Sequence, residues 1–133
     1  MYDKYTILKE NKKNVIVMIK VGNFYHLYDE DALIMFYLFK YVIGENNNRV
    51  GFPVKNLSKV VNNLKSKEIS YYVDDNNFCY FDNENYYQIL EKSKIYYDLV
   101  KDVDNIYKYL IDNIERKYIK RIITRIKEVI DEG

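Results

Sequence analysis

The sequence is poor in the residues that crosslink chains, bind metals or cradle phosphates. A single cysteine, Cys79, excludes an internal disulfide, a thiolate metal cluster and a CxxC redox pair. A single histidine, His26, excludes two-histidine motifs and most zinc sites. None of the four glycines precedes a lysine, so a phosphate loop that ends in Gly-Lys cannot be built. We therefore expect no metal and no cofactor.

A large excess of one charge and a long apolar run are also missing. The 21 basic and 20 acidic side chains leave a net charge of +1, so any attraction to nucleic acid must come from a local patch. No apolar run approaches the roughly 18 residues that span a bilayer. We expect a soluble, cytoplasmic protein with no membrane partner.

The residues that are present suffice for one core. With 133 residues, 48% of them hydrophobic, the chain fits one domain or one small domain with an appendage. All three internal glycines and the only proline precede residue 54, whereas residues 84–132 contain neither. We therefore predict a domain at residues 1–82 and an amphipathic helical extension at residues 83–133.

The first region begins with a predicted β-hairpin. Residues 15–21 form an apolar, β-branched run of strand length. Gly22 and Asn23 can turn this run into the aromatic run at residues 24–28.

Helix and strand patterns then alternate. Acidic residues 29–31 precede an apolar helix predicted over residues 32–43, which ends in the polar residues 44–48. An extended segment, a helix, a strand and a possible last strand are predicted at residues 49–54, 57–64, 69–73 and 78–81. This order predicts an α+β fold in which helices flank a mixed β-sheet.

The C-terminal extension is predicted to be an α-helical hairpin. Apolar residues recur at three- and four-residue intervals from Asn85 onward, which indicates an amphipathic helix. Asp112 and Glu115 have the spacing of a capping-box variant and favour a second helix from near Asn113. A break at residues 102–104 is the alternative, and the sequence leaves both open.

The second of these helices has an apolar stripe and a basic side. The apolar stripe consists of Ile119, Ile122, Ile123, Ile126 and Ile130, and the basic side consists of Arg116, Lys117, Lys120, Arg121, Arg125 and Lys127. The basic side is either a phosphate-binding surface or an ordinary solvated helix face. The apolar stripe needs a partner, either the sheet domain or a second copy, and we predict a homodimer.

Two stretches of the first region carry a family resemblance. Residues 15–32 (VIVMIKVGNFYHLYDEDA) and 50–73 (VGFPVKNLSKVVNNLKSKEISYYV) resemble the N-terminal mismatch-recognition domain of the MutS family of DNA mismatch-repair proteins. In that family a strand leads into a glycine-acid-Phe-Tyr-Glu motif. A Glu-Asp-Ala helix start and a Gly-hydrophobic-Pro segment follow. Residues 5–9 also look like the family's short leading helix, so the resemblance covers roughly residues 1–75.

The resemblance assigns roles to individual residues. Phe24 matches the family phenylalanine that wedges beside a mispaired base; the alternative is that Phe24 belongs to the apolar face of the hairpin. His26 stands where the family has a glutamate that hydrogen-bonds the mispaired base, and Asn23 replaces the preceding aspartate. Because a neutral imidazole both donates and accepts whereas a carboxylate only accepts, this base contact must differ from the family's. The alternative for His26 is an exposed hairpin residue.

Other positions extend this comparison. Gly51 and Pro53 match the family's Gly-hydrophobic-Pro turn and are interpreted as structural. Arg49 is either a phosphate contact or a solvated side chain. The family's ATPase, connector, lever and clamp regions have no counterpart. We expect no catalytic residues, because the acid pairs Asp29 with Asp31 and Asp74 with Asp75 have no companion histidine or glycine-rich loop.

The sequence is therefore compatible with two functions. The first is a non-catalytic nucleic-acid-binding accessory protein that takes distorted duplex, single strands or a hybrid. The resemblance implies a reverse transcriptase or a repair protein as its partner, because free-standing domains of this kind are found beside reverse transcriptases in diversity-generating retroelements. The second is a protein-interaction adaptor that has lost DNA contact.

Overall fold

The computed structural model describes residues 2–44, 48–74 and 77–132. The chain forms two compact units, Met1–Tyr97 and Asp98–Gly133. The sequence-based boundary at residue 82 stays a prediction. Among the described residues, no helix combines the length and the apolar character that crossing a membrane requires.

Within these described ranges, five α-helices and five strands form an α+β fold, as predicted. The helices are α1 (Tyr2–Glu10), α2 (Asp29–Phe39), α3 (Leu57–Ser66), α4 (Asn85–Asn113) and α5 (Arg116–Glu132). The strands are β1 (Ile16–Val21), β2 (Phe24–Leu27), β3 (Val50–Pro53), β4 (Tyr71–Val73) and β5 (Asn77–Cys79). The helices α4 and α5 give the chain a hairpin-like C-terminal end, so the predicted fold class is confirmed.

The sheet is mixed, with strand order β3-β2-β1-β4-β5. Strands β1 and β4 run parallel, and every other neighbouring pair is antiparallel. The predicted hairpin is β1–β2, in which Val21 pairs with Phe24 across the two-residue turn Gly22–Asn23. Gly22 has φ +61°, a left-handed angle that glycine adopts without the steric cost other residues meet.

Each face of the sheet is covered by different helices. On one face, residues such as Met18 and Leu27 pack with residues of α2, α3 and the start of α4. On the other face, Val17 and Ile19 pack with Tyr5 of α1. Because side chains of a strand alternate between faces, the nearly continuous apolar run of β1 supplies both cores.

A buried carboxylate joins four elements of the first unit. Asp31 of α2 is fully buried and accepts hydrogen bonds from Tyr5 (2.8 Å), Tyr86 (2.7 Å) and the Val17 amide (3.1 Å). The ammonium of Lys9 lies 2.9 Å from Asp31. Burial, followed by the charge of Asp31, raises the pKa of Tyr5 and of Tyr86, so both phenols keep the proton that they donate. We call Asp31, Lys9, Tyr5 and Tyr86 the Asp31 cluster.

Helix α2 ends four residues earlier than predicted. Its last residue is Phe39 rather than residue 43, because Lys40 adopts a left-handed φ of 61° while its amide still bonds the carbonyl of Phe36. Tyr41 then stacks on Phe52 with ring centroids 5.8 Å apart, so this apolar stretch packs as an irregular segment rather than as helix. The polar residues 45–47 of the predicted helix end lie outside the described residues.

The helical tail breaks between Asn113 and Arg116. Helix α4 continues through residues 102–104 to Asn113, and α5 begins at Arg116, close to the predicted start near Asn113.

Candidate nucleic-acid interface

Phe24 is the first residue of β2 and stands at the end of the β1–β2 hairpin. Its cross-strand neighbours are Val21 on β1 and Pro53 on β3. Its side chain is 47% exposed, whereas the next residue, Tyr25, is buried in the core. The alternation of β2 therefore presents the Phe24 ring on the solvent-accessible part of the sheet face that α1 partly covers.

The turn beside Phe24 is braced by the neighbouring strand. The Val54 amide donates to the Asn23 carbonyl over 2.9 Å, which ties the hairpin end to the residue that follows β3. Gly22 supplies the left-handed backbone angle of the two-residue turn, and the bond between Val54 and Asn23 holds one side of the hairpin end. A ring mounted on such a support loses little conformational freedom when it meets a ligand.

His26 lies on the same sheet face as Phe24, two residues farther along β2. The Tyr28 hydroxyl is 3.5 Å from Nδ1 of His26, and the two rings meet edge to face with centroids 6.3 Å apart. Gly51 is the cross-strand partner of His26. A Cβ at Gly51 would lie 3.2 Å from Cδ2 of the imidazole, so the ring packs directly on the glycine backbone. This close approach is what Gly51 permits.

The electrostatic setting keeps His26 neutral. Partial burial lowers the pKa of His26, and the charge of Arg49 lowers it further. Burial also raises the pKa of Tyr28, so this phenol keeps its proton. At neutral pH the imidazole therefore has one donor and one acceptor rather than a positive charge.

Arg49 completes a set of three predicted site residues. It is exposed and immediately precedes β3, the strand whose Gly51 pairs with His26. Its positive charge lowers the pKa of His26 and of Tyr28, two residues of the chain segment that β3 pairs with or adjoins. The structure thus brings Phe24, His26 and Arg49 together along β2 and the start of β3.

The other predicted site residues belong to α5 in the second unit. All five are exposed: Arg116, Lys117, Lys120, Arg121 and Arg125. Lys120, Arg121 and Arg125 line one shallow surface concavity together with Thr124 and Glu128.

Acidic and aromatic neighbours modify this basic surface. Arg125 pairs with Glu128 at 3.6 Å and Lys117 with Glu115 at 3.8 Å, and these exposed pairs are weak. Arg121 lies over the ring of Tyr118 at 6.0 Å. The basic side of α5 therefore combines guanidinium groups that can contact phosphates with one aromatic ring.

Sequence reasoning missed two features of this region. It did not associate Tyr28 with His26, although residues two apart on a strand share a face. It interpreted Asp31 only as part of an acidic helix start, whereas Asp31 is the buried centre of a hydrogen-bond network. No local pattern signals this network, because Tyr86 lies 55 positions away from Asp31.

Comparison with known proteins identifies the first unit. No curated protein matches the chain. A family model described as MutS domain I matches residues 1–75, which is more than half of the chain. The match covers α1, the β1–β2 hairpin, α2, β3, α3 and β4, and it includes Phe24, His26 and Arg49. MutS domain I is a DNA-binding domain that has no catalytic activity by itself. The chain belongs to the MutS domain I family.

Proposed function

We propose that this protein is a non-catalytic accessory protein that binds nucleic acid through Phe24 and the basic side of α5. The single observation that carries this function is the half-exposed Phe24 ring at the braced end of a hairpin in a MutS domain I chain. Such a ring replaces a lost stacking partner most readily where base stacking is already weak. The preferred substrates are therefore distorted duplexes, unpaired strands or hybrids.

His26 and Arg49 would act beside the inserted ring. The neutral imidazole lies on the same sheet face as Phe24 and has a donor and an acceptor for a base edge. It lacks the negative charge of the family's glutamate, so it does not repel a nearby phosphate. Arg49 is exposed beside His26, where it can bind that phosphate.

The basic side of α5 would bind the sugar-phosphate backbone. Arg121 and Arg125, which share a concavity with Lys120, are exposed and can each displace a condensed counterion from a phosphate. These contacts are independent of base sequence, so they supply affinity rather than discrimination.

We propose that the protein works in the cytoplasm as a homodimer, without enzymatic activity of its own, beside a reverse transcriptase or a repair protein. The second candidate function is a protein-interaction adaptor. It is favoured by the many apolar side chains that α4 and α5 leave exposed.

A binding experiment with matched variants tests the role of Phe24. Affinities are measured for perfect duplex, mismatched duplex, single strands and RNA–DNA hybrid. We expect Phe24→Ala to weaken binding to distorted or unpaired substrates by about 5- to 100-fold and binding to perfect duplex much less. Phe78→Ala is the control, because Phe78 is a similarly exposed phenylalanine on β5. Equal losses in both variants would contradict the proposed role.

A salt series tests the basic side of α5. Replacing Arg121 and Arg125 with Ala is expected to reduce the slope of log K against log salt by about two. The control replaces Lys92 and Lys94, two exposed lysines of α4, in the same way. No binding of any oligonucleotide by the unmodified protein at low salt would favour the adaptor.

A further inference from the structure

An apolar seam runs between α4 and α5 within the second unit. Val103, Ile106 and Leu110 of α4 meet Ile123 and Ile126 of α5 there. The apolar spacing continues to Leu99 on α4 and to Ile119 and Ile130 on α5. Both sets have successive spacings of four, three and four residues. This is the heptad spacing with which helices pack as coiled coils and helical bundles.

The seam is closed at only one end. Leu110 and Ile119, next to the connection between the helices, are each 8% exposed. Farther along, Val103 is 63% exposed and Ile126 is 47% exposed. Here the helices line an apolar groove of about 330 Å³, whose edges carry Asp104 on α4 and Lys127 on α5. Heptad-spaced side chains thus line a groove that this unit does not fill.

The two helices that line the groove differ in charge, and this difference favours one occupant. The part of α4 at residues 98–113 has four acidic and two basic side chains, whereas α5 has six basic and three acidic ones. A partner that is uniformly acidic or basic would complement only one of these two helices. A second copy complements both helices, because a two-fold axis places the acidic helix of each copy against the basic helix of the other.

We infer that two copies pack groove to groove and form a four-helix bundle in which α4 of each copy faces α5 of the other. A two-fold axis along the bundle brings Asp104 of one copy to the level of Lys127 of its partner. The inference rests on the homodimer part of the proposed function but not on nucleic-acid binding. Arg121 and Arg125 do not line the groove, so they stay available for phosphates.

Sedimentation equilibrium of the full chain without nucleic acid tests the apolar contact. The unmodified protein is expected to be dimeric at about 50 µM. Val103→Glu buries a charge in the bundle and should raise the dimer Kd at least about tenfold. Tyr109→Glu is the matched control, because Tyr109 is also 63% exposed on α4 but does not line the groove. A monomeric unmodified protein, or equal effects of the two variants, would overturn the inference.

A charge exchange tests the arrangement even if Val103→Glu unfolds the hairpin. Asp104→Lys alone and Lys127→Glu alone should each weaken self-association. Mixing the two variants should restore it, because one contact of the heterodimer pairs the introduced lysine with the introduced glutamate and the other keeps Asp104 with Lys127. If the mixture does not associate more tightly than either variant alone, α4 of one copy does not pack against α5 of the other. If the protein dimerises as expected but binds no oligonucleotide, the nucleic-acid proposal is contradicted and the dimer inference is not.

Discussion

The two units of the chain differ in how they use apolar residues. Twenty-one of the 23 buried apolar residues in the described chain belong to the first unit, and only Leu110 and Ile119 belong to the second. The first unit also buries a hydrogen-bonded carboxylate, Asp31. The second has heptad-spaced apolar side chains but leaves most of them in solvent. The first unit thus buries a core of its own, whereas the second would, under the dimer proposal, supply half of a bundle.

This difference assigns separate tasks to the units. Under the proposed function, the first unit's core supports the strand β2 that carries Phe24 and His26, and a rigid support of this kind favours selection of a distorted base step. Under the two proposals above, the exposed helices of the second unit would bind a second copy and phosphates. Substitutions of the same type in the two units should therefore have different effects.

The largest effect is expected from Asp31→Asn. It removes the charge that Lys9, Tyr5 and Tyr86 surround, so the free energy of unfolding of the first unit should fall by about 3–5 kcal/mol. Asp29→Asn, which affects the single bond from the Tyr2 hydroxyl, should cost about 1 kcal/mol. Urea unfolding of both variants measures the difference, and similar losses would contradict the central role of the Asp31 cluster.

The same leucine-to-alanine truncation should destabilise the two units by different amounts. Leu64→Ala removes a fully buried side chain of α3 and should cost about 3–5 kcal/mol. Leu110 lines an open groove whose walls can collapse around a smaller side chain. Leu110→Ala should therefore cost only the transfer free energy of the removed atoms, about 1–2 kcal/mol. Hydrogen exchange locates each loss in its unit. A larger loss for Leu110→Ala would show that the second unit is the better packed.

A tyrosine pair tests the link between α4 and the Asp31 cluster. Tyr86→Phe removes the hydroxyl that donates to Asp31 and should cost about 1.5–3 kcal/mol. Tyr87→Phe changes an exposed neighbour on the same helix and should be nearly neutral. Thermal unfolding compares the two variants, and a neutral Tyr86→Phe would contradict the role of this hydrogen bond.

The smallest effect concerns the pH dependence of the first unit. Because folding lowers the pKa of His26, the unfolded chain takes up the proton first as the pH falls. The contribution of His26 to stability is therefore present above about pH 6.5 and decreases as the pH falls through the folded pKa. His26→Gln should remove this part of the pH dependence.

An NMR titration of the single histidine measures the same effect directly. The pKa of His26 should lie below its ordinary value, and Arg49→Ala should raise it by removing a nearby positive charge. An unchanged pKa in Arg49→Ala would show that the guanidinium lies away from the imidazole.

The sequence predicted the elements that depend on local patterns. The β1–β2 hairpin follows from the apolar run and Gly22, and the family motif located Phe24 at its end. The end of α2 at Phe39 was missed, because the apolar residues beyond Lys40 look helical and only the core determines that Tyr41 stacks on Phe52 instead. Such long-range contacts leave no local periodicity.

The candidate site, like the fold, was predictable only where it depends on local sequence. Phe24, His26 and Arg49 could be named from the motif, but the packing of His26 on Gly51 and the lowering of its pKa depend on the pairing of β2 with β3. The apolar stripe of α5 was visible as a pattern. Its open groove was not, because exposure depends on how far apart the two helices lie.

Base insertion by Phe24 is tested most directly with a fluorescent base analogue placed beside a mismatch. Binding of the unmodified protein should change the fluorescence of the analogue, because the ring unstacks the neighbouring base. At protein concentrations that saturate the duplex, Phe24→Ala should leave the fluorescence unchanged although the phosphates remain bound. The same fluorescence change with Phe24→Ala as with the unmodified protein would contradict the account.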